Sequence, residues 1–395
     1  MLRLGQFESA QAIVEKVLAD DDRSADTHSL LANILDRRGD WQASLAHLRR
    51  AYELAPKAPQ VRLNLAMATL RLGDYREGLP LYEARLDKPA WSGFATFESR
   101  TANRQRLLHR GDSVEGRRIL LLAEQGLGDA IMCARYIPML AESGARIALA
   151  SNPTLRPFFA RMSGIETVLS PPPDQPFAQI NLAALPFDAW LPLLSLPYWF
   201  GTDLTHVPAD IPYWRADEQR VADWRKRFAA AGRPGRPKVG LVFQANPGGQ
   251  GFADKSMQVA DLMPLLNLDG VDFVNMQHGP AGRKLAAAPG IIDFFATEVP
   301  LDEYGAAVAA TDLMISVDTM AAHFSGALGQ PTWVAVPHSP HWIWLLAADS
   351  TPWYPQARIF REERPRDWSG AIAAIVTALN ERFGAAAAMP SHDIL

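Results

Sequence analysis

The chain has 395 residues, of which 48% are hydrophobic, and a formal net charge of −4 at pH 7, so we expect no nucleic-acid partner and no anionic-membrane surface. Cys133 is the single cysteine, which excludes a disulfide framework and a cysteine-based zinc site. No apolar run reaches the roughly 18–20 residues that a membrane span needs, and the polar N-terminus does not resemble a signal peptide, so we expect a cytoplasmic protein of two or three domains.

Three similar turns recur at equal spacing along the first part of the chain, at residues 5–7 (GQF), 39–41 (GDW) and 73–75 (GDY). The interval matches the ~34-residue period of tetratricopeptide repeats. We predict such repeats over residues 1–90, with the first one incomplete because Met1 falls near the end of its first helix. Repeats of this kind must stack, and they form a concave surface suited to a protein or peptide partner. The alternative is that the helices only brace the rest of the chain.

Residues 91–116 show no clear period and are predicted to be a connector. Strands and helices then alternate over residues 117–232, which predicts a first parallel α/β domain. A glycine-rich turn at 125–129 separates its first strand from a helix at 130–143, whereas the aromatic and proline-rich stretch 177–212 is predicted to be rich in loops. The predicted strands of this domain cover residues 118–123, 147–150 and 165–168.

A proline- and glycine-rich linker at 233–237 (RPGRP) begins a second α/β domain, which we predict over residues 233–366. A C-terminal helix at 367–384 and a tail at 385–395 follow it. The predicted strands of this domain cover residues 239–243, 271–276, 291–293, 313–317 and 332–336.

The stretch 312–331 (DLMISVDTMAAHFSGALGQP) predicts a buried strand, a polar turn and a short helix that ends at a glycine. A helix that begins at the end of a buried strand directs its N–H groups and positive dipole end at one point, which suits a phosphate. We expect Thr319 and the backbone of Met320 and Ala321 to hold a diphosphate. We expect Asp318 to brace the turn, since an anion would repel a phosphate.

Polar side chains follow other strands of this domain. Asn246, Gln277 and His338 each come directly after or close to a predicted strand. The carboxyl ends of parallel strands share one edge, so these groups are predicted to line a ligand crevice. Lys255, in the loop after the first strand, would neutralise negative charge on a ligand. His323 suits either a phosphate or ribose oxygen or a packed position inside the domain.

The turn that ends at Gly128-Asp129 has two interpretations. Asp129 is a suitable helix N-cap, or it is a carboxylate held at the edge where α/β sheets bind ligands. The aromatic loop at 337–344, with Trp353 after it, is also open to two interpretations. Its rings would either stack on a base or sugar or pack inside the protein.

The strings LLLAEQGLGDAIMCARYIPML (120–140) and DLMISVDTMAAHFSGALGQP (312–331) resemble the bacterial heptosyltransferases. From about residue 25 to 380 the chain resembles bacterial proteins that join tetratricopeptide repeats to a GT-B glycosyltransferase domain, an architecture similar to that of O-GlcNAc transferase and the flagellin glycosyltransferases. The resemblance implies the α/β GT-B fold, with two facing Rossmann-like domains after an all-α repeat segment.

The resemblance also implies roles for individual residues. Gly128-Asp129 matches the family's Gly-Asp, whose Asp is the proposed catalytic base. Asp318-Thr319 and His323 match its D-T-x-x-x-H signature for the nucleotide diphosphate, and Lys255 lies where a basic residue commonly meets the phosphates. Met320 is a departure, because the family has glycine there.

These observations predict an inverting glycosyltransferase that moves a sugar from a nucleotide-sugar donor to a hydroxyl, plausibly on a protein bound by the repeats. We expect neither a cofactor nor a metal, because the D-x-D pattern occurs only at Asp20–Asp22, inside the repeats. One alternative is a scaffold protein of the same fold that has lost catalysis. Another is a GT-B epimerase acting on a UDP-sugar.

Overall fold

The computed structural model of the chain describes residues 7–88, 105–170, 186–249, 251–295 and 297–384. The chain divides into two compact units. The first unit comprises Met1–Ala209 with Ser339–Ala348, and the second comprises Asp210–His338 with Asp349–Leu395. The predicted tail, most of the predicted connector and the proline run at 171–173 lie outside the described residues.

The N-terminal part of the first unit is a series of helical hairpins, as the repeats predicted. Its helices are α1 (Phe7–Asp20), α2 (Ala25–Arg38), α3 (Trp41–Leu54), α4 (Pro59–Arg71) and α5 (Tyr75–Tyr82). Gly39 and Gly73 end α2 and α4 with φ of 86° and 90°, a left-handed conformation that glycine adopts without a steric penalty. The repeated glycine therefore reverses the chain once in each hairpin, and the tetratricopeptide-like organisation is confirmed.

The first α/β part contains four parallel strands in the order β3-β2-β1-β4. They are β1 (Arg118–Leu122), β2 (Arg146–Ala150), β3 (Ile165–Leu169) and β4 (Ala189–Pro192). Its helices are α6 (Leu127–Cys133), α7 (Ile137–Glu142), α8 (Arg156–Phe159) and α9 (Leu196–Trp199). The three predicted strands are confirmed, and β4 is an additional strand within the stretch predicted to be rich in loops, with Trp190 fully buried beside β1. Residues 177–185 of that stretch lie outside the described residues. A four-residue strand that ends in proline is too short to show a period.

The second unit contains six parallel strands in the order β10-β9-β8-β5-β6-β7. They are β5 (Lys238–Val242), β6 (Asp272–Asn275), β7 (Ile292–Asp293), β8 (Leu313–Val317), β9 (Thr332–Val336) and β10 (Ala357–Arg361). Its helices are α10 (Glu218–Ala231), α11 (Val259–Leu266), α12 (Gly279–Ala286), α13 (Leu301–Ala309), α14 (Met320–Leu328) and α15 (Ser369–Phe383). All five predicted strands are present, and β10 is an additional one. Repeats followed by two parallel α/β sheets confirm the predicted fold class at this level.

The compact units differ from the predicted domain boundaries in two places. Helix α10, predicted to belong to the first α/β domain, packs on α13 in the second unit. Trp224 Nε1 of α10 donates to Glu303 Oε1 at 2.7 Å. Conversely, Ser339–Ala348, predicted within the second domain, belongs to the first unit. Both assignments depend on contacts distant in sequence, which composition and linker patterns do not record.

A buried ion pair joins the last repeat to the edge of the first sheet. Arg85 lies in a 3-10 turn (Glu83–Asp87) directly after α5, and its Nη2 donates to Glu124 Oε1 and to Ser195 Oγ, each at 2.7 Å. Its Nη1 lies 2.5 Å from Glu83 Oε1. Arg85 is 3% exposed and Glu124 is 1% exposed. Loss of the guanidinium would leave a buried carboxylate without charge compensation, which is far more costly than loss of a surface pair.

We expect Arg85→Met to lower the free energy of unfolding by about 3–5 kcal/mol, because Glu124 stays buried without its partner. Urea denaturation measures the loss. Arg49→Met is the matched control, since Arg49 is 55% exposed in its ion pair with Glu77 and its removal should cost less than about 1 kcal/mol. Equal, small losses in both variants would contradict the role given to Arg85.

Candidate functional site

In the first unit, the turn after β1 holds a carboxylate in a fixed position. Gly126 precedes the first residue of α6, and its N–H donates to Asp129 Oδ2 at 3.1 Å. A Cβ at Gly126 would lie 2.8 Å from that oxygen, so a larger residue there would displace the Asp129 carboxylate. The N-cap interpretation of Asp129 is wrong in its position: Asp129 lies inside the helix and reaches back to the cap residue, as in a capping box. Gly128, also inside α6, contributes backbone only.

The second carboxylate oxygen of Asp129 faces a histidine. His341 Nε2 lies 3.8 Å from Asp129 Oδ1, and the two side chains are 17% and 24% exposed. On the other side of the turn, Tyr82 of α5 shares a 3.1 Å hydrogen bond with Gln125. One oxygen of Asp129 is therefore occupied by the helix, and the other lies at a partly exposed surface beside an imidazole.

In the second unit, Lys255 and Asp318 are brought together from different loops. Lys255 Nζ lies 2.6 Å from Asp318 Oδ2, and the Asp318 side chain is only 4% exposed. Lys255 comes from the loop after β5, whereas Asp318 follows β8, which pairs directly with β5. The Lys255 side chain is 27% exposed and is therefore the less buried partner of the pair. The geometry fits the bracing role that we expected for Asp318.

A chain of buried polar groups continues from Asp318. His323 Nε2 lies 3.8 Å from Asp318 Oδ1, and His323 Nδ1 lies 3.0 Å from Tyr354 Oη. Gly326 permits this arrangement, because a Cβ there would lie 2.3 Å from the Tyr354 ring. His323 is 4% exposed, which favours the packed position over direct ligand contact. The contact between Tyr354 and His323 was not predicted, because no sequence motif links the two residues.

Helix α14 begins just after Asp318, the residue that Lys255 contacts. Thr319 is its N-cap, with an extended backbone and its Oγ1 3.1 Å from Ser316 Oγ. Met320 and Ala321 are the first two helical residues, whose N–H groups have no acceptor within a helix. Met320 is half-buried. Helix dipole, backbone N–H groups and the Lys255 ammonium thus favour an anion at this point.

Two other residues that were predicted to line the ligand crevice form hydrogen bonds with the protein's own backbone. Gln277 Oε1 accepts hydrogen bonds from the N–H groups of Phe243 at 3.2 Å and Gln244 at 3.0 Å, which fixes the chain as it leaves β5. Asn246 is exposed, and its Oδ1 accepts from the Gly248 N–H at 3.1 Å, which shapes its own turn.

His338 is joined to a buried carboxyl group. Its backbone N–H donates to Oε2 of Glu362 at 3.0 Å. Glu362 is the residue that directly follows β10. Glu362 is 1% exposed. Burial raises the pKa of Glu362 from 4.5 to about 7, with a smaller contribution from the Asp254 charge, while the His338 N–H opposes the rise. No sequence signal marked Glu362, because neither β10 nor its pairing with β9 was predicted.

This raised pKa predicts a pH-dependent stability difference. In the folded state Glu362 keeps its proton up to about pH 7, whereas the unfolded chain releases it near pH 4.5, so stability falls as the pH rises between these values. In Glu362→Gln that loss should be absent, and relative to wild type the variant should gain up to about 3 kcal/mol across the window. Urea denaturation at several pH values between 4.5 and 7.5 measures this difference; a difference independent of pH would contradict the assignment.

The aromatic loop does not offer its tryptophans to a ligand. Trp342, Trp344 and Trp353 are at most 2% exposed, the first two within the first unit and the third within the second. Trp342 packs edge-on against Tyr75, with ring centroids 5.5 Å apart. The packing interpretation therefore holds for all three rings, and their stacking on a base or sugar is excluded in this conformation.

Within the described ranges, no group of three or more His, Cys, Asp or Glu side chains is arranged to hold a metal ion. Asp20 and Asp22 lie at and just beyond the end of α1, within the repeats. Among the residues that the structure describes, no helix has the length and hydropathy to span a bilayer.

The repeat segment is similar to a described protein family. The model of the family "Anaphase-promoting complex, cyclosome, subunit 3" matches residues 3–84. Over 372 residues the chain is 28% identical to Protein FlbA of Caulobacter vibrioides, an alignment that covers 87% of this chain. The chain spans only 59% of the length of FlbA.

Solved glycosyltransferase structures are similar to part of the chain. The family 9 glycosyl transferase from Veillonella parvula matches with a TM-score of 0.47 and 11% identity, covering 70% of this chain and all of that protein. The ADP-heptose lipopolysaccharide heptosyltransferase II of E. coli matches with a TM-score of 0.47 and 15% identity, covering 69% of this chain and all of that protein.

Proposed function

We propose that this chain is a glycosyltransferase that moves a sugar from a nucleotide-sugar donor to a hydroxyl group. The observation that carries the proposal is the position of Lys255 Nζ, 2.6 Å from Asp318 at the beginning of α14. A buried carboxylate holds a partly exposed lysine beside a helix N-terminus, an arrangement that suits a diphosphate. The D-T-x-x-x-H pattern formed by Asp318, Thr319 and His323 supports the same donor.

In the proposed reaction, Asp129 Oδ1 accepts the proton of the acceptor hydroxyl as its oxygen attacks the anomeric carbon of the donor. The bond from that carbon to the diphosphate breaks, and the nucleoside diphosphate leaves with the bonding electrons. Lys255 and the α14 N–H groups stabilise the charge that develops on it, without a metal ion. A single displacement of this kind inverts the anomeric configuration.

The acceptor is proposed to be a protein or peptide that binds the repeats. The support is their hairpin organisation, which presents successive helices along one surface.

One observation favours the alternative of a binding protein without catalysis. Met320 occupies the first position of α14, where its side chain narrows the approach to the helix N–H groups. A chain that binds a nucleotide and transfers no sugar would fit this alternative. Binding and transfer assays with a panel of nucleotide-sugars test both functions. An enzyme must transfer the sugar of its donor, whereas a binding protein only binds the donor.

We expect Asp129→Asn to reduce sugar transfer by about 10²–10⁴-fold, because the variant lacks a general base. Donor affinity should stay within about twofold of wild type, since Asp129 belongs to the first unit and the donor groups to the second. Transfer to a hydroxyl acceptor and calorimetric titration with a panel of nucleotide-sugars measure the two quantities. Unchanged turnover would contradict the role of Asp129, and binding without transfer by wild type would favour the alternative.

We expect Lys255→Met to weaken nucleoside diphosphate binding by about 10–100-fold, because a charge-assisted contact is worth about 1.5–3 kcal/mol. The double variant Lys255→Met/Asp318→Asn avoids a buried unpaired carboxylate and should show the same loss. Lys226→Met is the matched control, because Lys226 is 76% exposed on α10. Wild-type affinity in the double variant would overturn the assignment of the anion site.

A further inference from the structure

The segment Ser339–Ala348 leaves the second unit after β9 and belongs to the first. At its start, Ser339 Oγ donates to Asp36 Oδ2 of α2 at 2.6 Å. Asp36 is itself paired with Arg71 of α4 at 2.5 Å, and Arg71 also contacts Ser339. Two repeat helices therefore hold the first residue of the segment through a partly buried network.

The repeats also hold the residues that follow. A 3-10 turn at Trp342–Trp344 packs against α4. The Trp342 ring lies edge-on to Tyr75 of α5 with an interplanar angle of 86°. Trp342 is 2% exposed, so this contact belongs to the core of the first unit.

His341 lies between these two attachments. Its neighbour Trp342 is anchored against Tyr75, and Ser339 is anchored by Asp36, so the backbone of His341 is fixed from both sides. Its ring is 5.3 Å from that of Trp342, and its Nε2 reaches to 3.8 Å from Asp129 Oδ1. His341 therefore faces Oδ1 of Asp129, whereas the Gly126 N–H donates to the other carboxylate oxygen, Oδ2.

We propose that His341 is a positioning residue for Asp129 and that the repeats keep it in place. The inference rests on the proposed function, in which Asp129 is the base. An imidazole beside Oδ1 restricts the orientation of the carboxylate, while the helix cap holds Oδ2. A protein partner that displaces Ser339 from Asp36 would therefore change the rate of the chemical step without a direct contact to Asp129.

The first test separates turnover from donor binding. His341→Ala should lower kcat by about 10–100-fold, as expected for a misplaced catalytic group, while the KM for the donor stays within about twofold. His341→Gln keeps a side-chain N–H donor and should recover part of the loss. His206→Ala is the matched control, since His206 is 78% exposed beside Asp203 in the same unit, and it should retain wild-type kcat. A full loss in the Gln variant, or a parallel loss in the control, would overturn the proposal.

A double-mutant cycle tests the attachment to the repeats. Ser339→Ala retains the Asp36–Arg71 pair and should lower kcat by about 3–10-fold if the serine holds His341 in place. The variant Ser339→Ala/His341→Ala should then be no slower than His341→Ala alone, because both changes act through one group. Independent, multiplicative losses would show that the two residues are not coupled.

The last measurement does not depend on transferase activity. In a histidine-labelled protein, the ring ¹⁵N resonances of His341, identified by their loss in His341→Gln, should move in Asp129→Asn. They should stay unchanged in Asp203→Asn, which instead affects His206. If wild type transfers no sugar, the proposed function fails, but these spectra still test the contact between His341 and Asp129. Unmoved His341 resonances in Asp129→Asn would overturn the positioning role of His341.

Discussion

The ion pair between Arg85 and Glu124 is the contact on which the arrangement of the first unit depends. A guanidinium removed from water is stable only when its remaining N–H groups are satisfied, and here Glu83 and Ser195 contact the Arg85 guanidinium beside Glu124. Glu124 lies between β1 and the Gly126 turn. The end of the repeats is therefore joined to the turn that precedes α6, the helix that carries Asp129, and the repeats cannot be regarded as an appended binding module.

The second unit uses a similar device for a different purpose. Asp318 is buried and charged, and Lys255 at 2.6 Å offsets the loss of hydration. His323 and Tyr354 extend the network from the other side and hold the aspartate in position. Since the buried partner is fixed, the more exposed ammonium is fixed too, and a flexible lysine becomes a preorganised cation.

The sequence predicted features whose cause is local. Strand β8 and helix α14 appear as expected because a buried five-residue run, a polar turn and Gly329 all act within one short stretch. Likewise, Gly39 and Gly73 end their helices as the repeat period predicted. The site required contacts that no local pattern records: His341 meets Asp129 from more than two hundred positions away, and Glu362 follows a strand that showed no period. The N-cap assignment of Asp129 was close but misplaced, because aspartate suits both the cap and the third helical position.

The excursion of Ser339–Ala348 into the first unit has a consequence for synthesis of the chain. Domains emerging from the ribosome tend to fold in order from the N-terminus, yet the first unit lacks part of its core until Trp342 and Trp344 have been made. The apolar surfaces of α4 and α5 that they cover stay exposed while all of the second unit's first five strands, β5 to β9, are translated. The repeats therefore acquire their complete core only after the chain has been translated through β9. In a truncated product the apolar surfaces of α4 and α5 would stay exposed, and quality-control proteases and chaperones recognise such surfaces.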